Sequence, residues 1–67
     1  MSYRRVWIVN CRRRGFDYKI FVETNEDGLR DYMKSEIPEA VSYSGATDSE
    51  VAAWKLLGLP VYLYKSL

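Results

Sequence analysis

The first third of the chain predicts a β-hairpin that carries apolar side chains on both faces. Two extended runs, residues 3–11 and 16–24, flank an Arg-Arg-Arg-Gly turn. Alternate side chains of a strand point to opposite faces, so Ile8 points one way and Trp7 and Val9 the other. A sheet with one face in water alternates apolar and polar residues more cleanly than this. The hairpin therefore has apolar surface to spare, which suggests a partner.

The length of the turn decides which faces of the two strands coincide. Gly15 can take the left-handed conformation that ends a three- or four-residue hairpin loop. Four loop residues pair Cys11 with Phe16, and three pair Arg12 with Phe16. A one-residue change exchanges the faces, and the sequence leaves both registers open. In either register, Phe21 shares the second face with at least two apolar residues of the first strand.

A first helix is predicted directly after the hairpin. Asn25 or Asp27 can cap its N-terminus. Its apolar residues recur at helical spacing on one stripe, Leu29, Tyr32, Met33 and Ile37. Pro38 ends the helix, because the residue before a proline avoids helical geometry. Residues 39–46 are predicted as either a short strand or a loop that packs its apolar residues inward.

A second helix and a final strand complete the prediction. Thr47 and Glu50 have the spacing of a capping box, and Gly58 has the usual C-terminal position. Residues 61–65 alternate as a strand, which a crossover connection could place parallel to a hairpin strand. We predict one α+β domain over residues 1–67, in the order β-β-α-α-β, with both helices over one face. A short extra strand between the helices remains open.

A chain of this length gains little stability from its own hydrophobic core, so additional stabilising contacts matter. A domain of 67 residues hides only about 60% of its unfolded surface, so oligomerisation or binding would support it. One cysteine and no histidine exclude an internal disulfide and give no basis for a zinc site, so we expect no metal and no cofactor. The lone Cys11 and the lack of a signal-like apolar core predict a cytoplasmic protein. No segment is long and apolar enough for a membrane span, so no membrane partner is expected.

The residue types that catalysis uses are scarce. A serine triad lacks its histidine, and the glycines are too dispersed for a phosphate cradle. Cys11 lies on a predicted strand without a histidine to activate it, so a buried structural thiol is expected. We predict that the protein is not an enzyme and has no catalytic residues.

Charge is unevenly distributed along the chain. Residues 1–22 carry six basic and one acidic side chain, whereas residues 23–50 carry eight acidic and two basic ones. The two parts either attract each other in the fold or form opposed surface patches. An acidic band follows the hairpin, formed by Glu26, Asp27, Asp31, Glu36 and Glu39. This band is either a solvated helix face or a set of carboxylates for a basic partner.

The leading hypothesis is a small non-enzymatic binding module, which acts as an inhibitor, adaptor or subunit. A protein partner is expected to contact an aromatic and arginine surface of the hairpin, since these residue types dominate binding hot spots. The predicted contacts are Arg12, Arg13, Arg14, Trp7, Phe21 and Tyr64. Only in its length and its lack of catalytic residue types, the chain resembles short accessory proteins of phages and other mobile elements.

Two other functions remain open at this point. The arginine turn can follow a phosphate backbone while Phe16 and Tyr18 stack on bases, which predicts a nucleic-acid binder. Alternatively, the surplus apolar surface is self-complementary and the chain forms a homodimer.

Overall fold

The computed structural model describes residues 4–64 as a four-stranded sheet with two helices. In chain order the elements are β1 (Arg5–Arg13), β2 (Phe16–Thr24), α1 (Glu26–Ser35), β3 (Ala40–Gly45), α2 (Asp48–Leu56) and β4 (Val61–Leu63). The strand order is β3-β1-β2-β4; β1 is antiparallel to β2 and β3, and β4 is parallel to β2. The predicted α+β fold is confirmed, and the segment between the helices is a strand. The predicted strand ends at Tyr3 and Lys65 lie outside the described residues.

The hairpin turn has two residues and not the three or four that the sequence suggested. Arg14 and Gly15 have φ values of +51° and +83°, the pattern of the type I′ turn whose twist matches that of the strands. Arg13 therefore pairs with Phe16. Both predicted pairings were wrong. The side chains that share each face are nevertheless the ones expected for a four-residue loop, because the two registers differ by an even number of residues.

Arg14 occupies a backbone conformation that suits asparagine or glycine better. A non-glycine residue in the left-handed region costs roughly 1–2 kcal/mol, and asparagine tolerates it best. We expect Arg14→Asn to raise the free energy of unfolding by about 0.5–1 kcal/mol. Urea denaturation should show a higher midpoint with an unchanged slope. Arg14→Ala, which loses the same charge but keeps the strain, should not show this gain; equal midpoints for the two variants would contradict the explanation.

Helix α1 covers one face of the sheet, here called the α1 face. This face carries Trp7, Val9, Cys11 and Val22, all of them buried, and Leu29 of α1 is fully buried against them. The predicted cap is confirmed, because the Asn25 side chain accepts a hydrogen bond from the Gly28 N–H at 2.7 Å. The apolar stripe predicted for this helix is therefore the one that packs on the sheet.

Helix α2 lies on the opposite face, so the prediction of both helices over one face was wrong. Trp54 of α2 stacks on Phe21 with ring centroids 4.2 Å apart. Phe21 pairs across the hairpin with Ile8, and these two side chains are only 3% and 7% exposed. The predicted capping box of Thr47 and Glu50 begins this helix. An apolar face on each side of the hairpin is thus covered by a helix of the same chain.

Candidate interaction surface

Two of the six predicted contact residues are buried inside the fold. Trp7 is 9% exposed, donates a 2.9 Å hydrogen bond from Nε1 to the Thr24 carbonyl, and packs edge-on against Tyr43. Phe21 is 3% exposed beneath Trp54. Neither side chain can reach a partner while the fold is intact, so their predicted contact role is wrong. The uncovered apolar sheet face that motivated this role does not exist at the base of the hairpin, because α2 covers it.

Tyr64 lies far along the sheet from the arginines with which it was grouped. Its ring packs edge-on against Tyr32 of α1, with centroids 5.1 Å apart, and is half-buried. Its backbone N–H donates to the carbonyl of Glu23, which pairs with Val6 at the base of the hairpin. The structure therefore does not bring Tyr64 and the arginine turn into one surface.

The distal part of the hairpin, residues 12–19, extends beyond the region that the helices cover and is here called the hairpin arm. Every residue of the arm is exposed, on both faces of the sheet. Phe16 is 78% exposed and Tyr18 42%. Arg13 pairs with Phe16 directly after the turn, so the two side chains lie side by side on the α1 face. The predicted contact residues Arg12, Arg13 and Arg14 are thus brought together with two aromatic rings.

Carboxylates accompany two of the three arginines. Arg12 Nε lies 2.8 Å from Asp17 Oδ1, and the guanidinium holds the pKa of Asp17 below its ordinary value. Arg13 Nε lies 3.6 Å from Glu39 Oε1. Within residues 4–64, Arg14 and Lys19 are the basic residues of the arm without such an ion pair. The arm therefore has less free positive charge than its sequence suggests.

A contact between Tyr18 and Glu39 connects the arm to the segment after α1. The Tyr18 hydroxyl donates a hydrogen bond to the Glu39 carboxylate, and mainly this bond raises the pKa of Tyr18 to about 12. Glu39 follows Pro38, immediately before β3 begins. Sequence reasoning missed this pair, since 21 residues separate its members and no local pattern joins them.

The Tyr18 hydroxyl should titrate at higher pH than an ordinary tyrosine. Its folded pKa of about 12 exceeds the usual 10.0, so the stability it contributes is present below pH 10 and is lost as the pH rises toward 12. An NMR titration of the Tyr18 ring carbons should show this raised pKa, and Glu39→Gln should bring the Tyr18 pKa back toward 10. Glu26→Gln, at an exposed site on α1, is the control that should leave it unchanged. If Glu39→Gln leaves the Tyr18 pKa unchanged, the hydrogen bond to Glu39 is not the cause of the raised pKa.

A cleft of about 330 Å³ opens on the α1 face, beside the arm. Three tyrosine and two glutamate side chains line it together with apolar residues: Tyr18, Tyr32, Tyr62, Glu36 and Glu39. It lies between β2, β4 and the C-terminal end of α1. Of the residues that the structure describes, no basic one lines it. We call this feature the tyrosine cleft.

The thiol of the single cysteine, Cys11, lies in the core. The Cys11 thiol is 2% exposed, and burial is the main cause that raises its pKa, so the predicted burial of this thiol is confirmed.

Within residues 4–64, no three potential metal-ligating side chains form a group that could hold a metal ion. The helices of the same segment are too short and too polar to cross a membrane. Comparison of the chain with family models, curated proteins and solved structures gives no match.

Proposed function

We propose that the protein is a non-enzymatic binding module that contacts a protein partner through its hairpin arm. The observation that carries this proposal is the exposure of Phe16, which is 78% accessible among three arginines. An aromatic ring of this kind buries about 150–250 Å² when covered, and aromatic and arginine side chains dominate the energetics of protein interfaces. A partner that covers Phe16 would gain this area.

The geometry of the arm favours binding in a second way. The arm consists of two paired strands closed by a two-residue turn, so its backbone is already ordered before a partner arrives. Preorganisation reduces the conformational entropy lost on association. Arg12 is held by Asp17 and Arg13 lies near Glu39, so these side chains also have partly defined positions.

The ion pairs favour a protein partner over a nucleic acid. Binding to a phosphate backbone depends on cations that are free to replace condensed counterions. Arg12 and Arg13 already have carboxylate neighbours at 2.8 Å and 3.6 Å, and those carboxylates would repel phosphate. Nucleic-acid binding is therefore the alternative that the nuclease treatment in the test below distinguishes.

The test is affinity capture from the native host with and without nuclease. The tagged wild type is compared with a double variant, Phe16→Ala with Arg14→Ala, and with Leu56→Ala, whose side chain is 89% exposed on α2. We expect the same proteins on the wild type and on Leu56→Ala, with or without nuclease, and their loss from the double variant. Equal retention by the double variant would refute the role of the arm.

Two further readouts separate the alternatives. Loss of all captured proteins after nuclease treatment would support nucleic-acid binding and contradict the proposal. Light scattering of the purified chain measures its mass against the 7.9 kDa of one copy. A doubled mass that the Phe16→Ala, Arg14→Ala variant abolishes would identify the partner as a second copy and support the homodimer instead.

A further inference from the structure

The tyrosine cleft combines aromatic rings with a carboxylate that has no ion pair within the described part of the chain. Tyr18 and Tyr62 are on β2 and β4, on the same face of the sheet, and are 42% and 47% exposed. Tyr32 faces them from α1 and is fixed by its edge-on contact with Tyr64. Tyr18 and Tyr62 therefore remain partly accessible to solvent at the cleft. The faces of aromatic rings are negative and attract cations, most strongly where water is excluded.

The charges around the cleft have the same sign as the ring faces. Glu36 and Glu39 both line it, and no basic residue among residues 4–64 does. The carboxylate of Glu39 accepts the Tyr18 hydrogen bond and has Arg13 at 3.6 Å, so its charge is partly balanced. Glu36, at the C-terminal end of α1, forms no ion pair among residues 4–64. Burial is the main cause that raises the pKa of Tyr32, and Tyr62 and Glu36 add to the rise.

The edge of the sheet beside the cleft can accept an extended polypeptide. Strand β4 pairs only with residues 21–23 of β2, so the outer edge of β2 from Phe16 to Ile20 has no strand neighbour among the described residues. Arg13 and Phe16 close the turn, so the alternation of an antiparallel ladder directs the backbone groups of Asp17 and Lys19 away from β1. A partner segment can therefore pair with this edge and place a side chain in the cleft.

We propose that the tyrosine cleft binds a lysine or arginine side chain of a protein partner. The proposal rests on the proposed function for the source of this side chain. The volume of about 330 Å³ is at the small end of the usual range for ligand sites. It suits one side chain. The ring faces of Tyr18, Tyr32 and Tyr62 surround the cation, and Glu36 balances its charge.

The test uses small probes, so it does not depend on finding the partner. Nα-acetyl-lysine methylamide is titrated against ring-labelled protein by NMR, beside its neutral isostere Nα-acetyl-norleucine methylamide; the arginine compound is compared with its citrulline analogue. We expect the cationic probe of at least one pair to shift the Tyr18, Tyr32 and Tyr62 rings and to bind about tenfold more tightly than its neutral match. Glu36→Gln should weaken this binding by about threefold or more.

Two substitutions of exposed tyrosines locate the site. Tyr62→Leu removes a ring from the cleft, whereas Tyr43→Leu removes one that lies on β3 outside it. Only Tyr62→Leu should reduce binding of the cationic probe, and the NMR spectra of both variants should show the intact fold. Equal binding of charged and neutral probes, or an equal loss in both variants, would overturn the proposal. If no probe binds but the capture of partner proteins still depends on the arm, only the cleft proposal is refuted. If the probes bind but the capture does not depend on the arm, only the proposed function of the arm is refuted.

Discussion

Phe21→Ala should reduce the free energy of unfolding by about 3–5 kcal/mol, the usual cost of removing a buried aromatic ring. Phe21 is 3% exposed and holds α2 on the sheet through its stack with Trp54 at 4.2 Å. A domain of this size has a total stability of roughly 3–10 kcal/mol, so the variant should be largely unfolded or close to it. Circular dichroism and the combined fluorescence of Trp7 and Trp54 during urea denaturation will measure the loss.

Phe16→Ala is the matched control on the same strand. The same ring is removed, but Phe16 is 78% exposed, so the cost should stay within about 0.5 kcal/mol. The two variants together separate a residue of the core from a residue of the proposed interface. Similar destabilisation by both would show that the arm is folded against the domain, or that α2 does not cover Phe21.

Trp7→Ala is expected to have an effect of similar size, about 3–5 kcal/mol. The substitution removes a ring that is 9% exposed, its edge-on contact with Tyr43 and the cation–π contact with Arg5 at 5.1 Å. It also leaves the Thr24 carbonyl without the hydrogen bond from Trp7 Nε1. Thr24 still pairs with Arg5 in the ladder, so the lost hydrogen bond adds about 0.5–1.5 kcal/mol to the cost.

Trp7→Phe divides this effect into its parts. The variant keeps an aromatic ring in the core but cannot donate to the Thr24 carbonyl, so its cost should be intermediate, about 1–3 kcal/mol. Thermal or urea denaturation of the wild type and both variants gives the comparison. A Trp7→Phe variant as unstable as Trp7→Ala would mean that the hydrogen bond outweighs the packing, and one as stable as wild type would mean that the bond contributes nothing.

Features that depend on neighbouring residues were predictable from the sequence. The Asn25 cap, the capping box of Thr47 and the stop at Gly58 each depend on groups within a few residues, and the structure contains all three. The apolar stripe of α1 and the exposure of the arginine turn follow from local periodicity and polarity. The two-residue turn was missed because Arg14 lacks the conformational preference of asparagine, so no turn signal marked its position.

The candidate surface was predictable only in part. The three arginines of the arm are where the sequence placed them, beside Phe16 and Tyr18. The burial of Phe21 was not foreseeable, since both faces of the hairpin are apolar and either could have remained uncovered. The tyrosine cleft gathers residues from β2, α1, the segment after it and β4, which no sequence pattern connects.

The chain by itself determined the order and type of most elements and the caps that begin both helices, because caps and periodicity are decided by residues that are close in sequence. Only the tertiary structure decided which face each helix covers. In the fold, β3 joins the free edge of β1 and lies in the chain between α1 on one face and α2 on the other. Contacts between residues far apart in the chain depend on such pairings, so the residues that remain exposed for a partner are known only once the sheet is assembled.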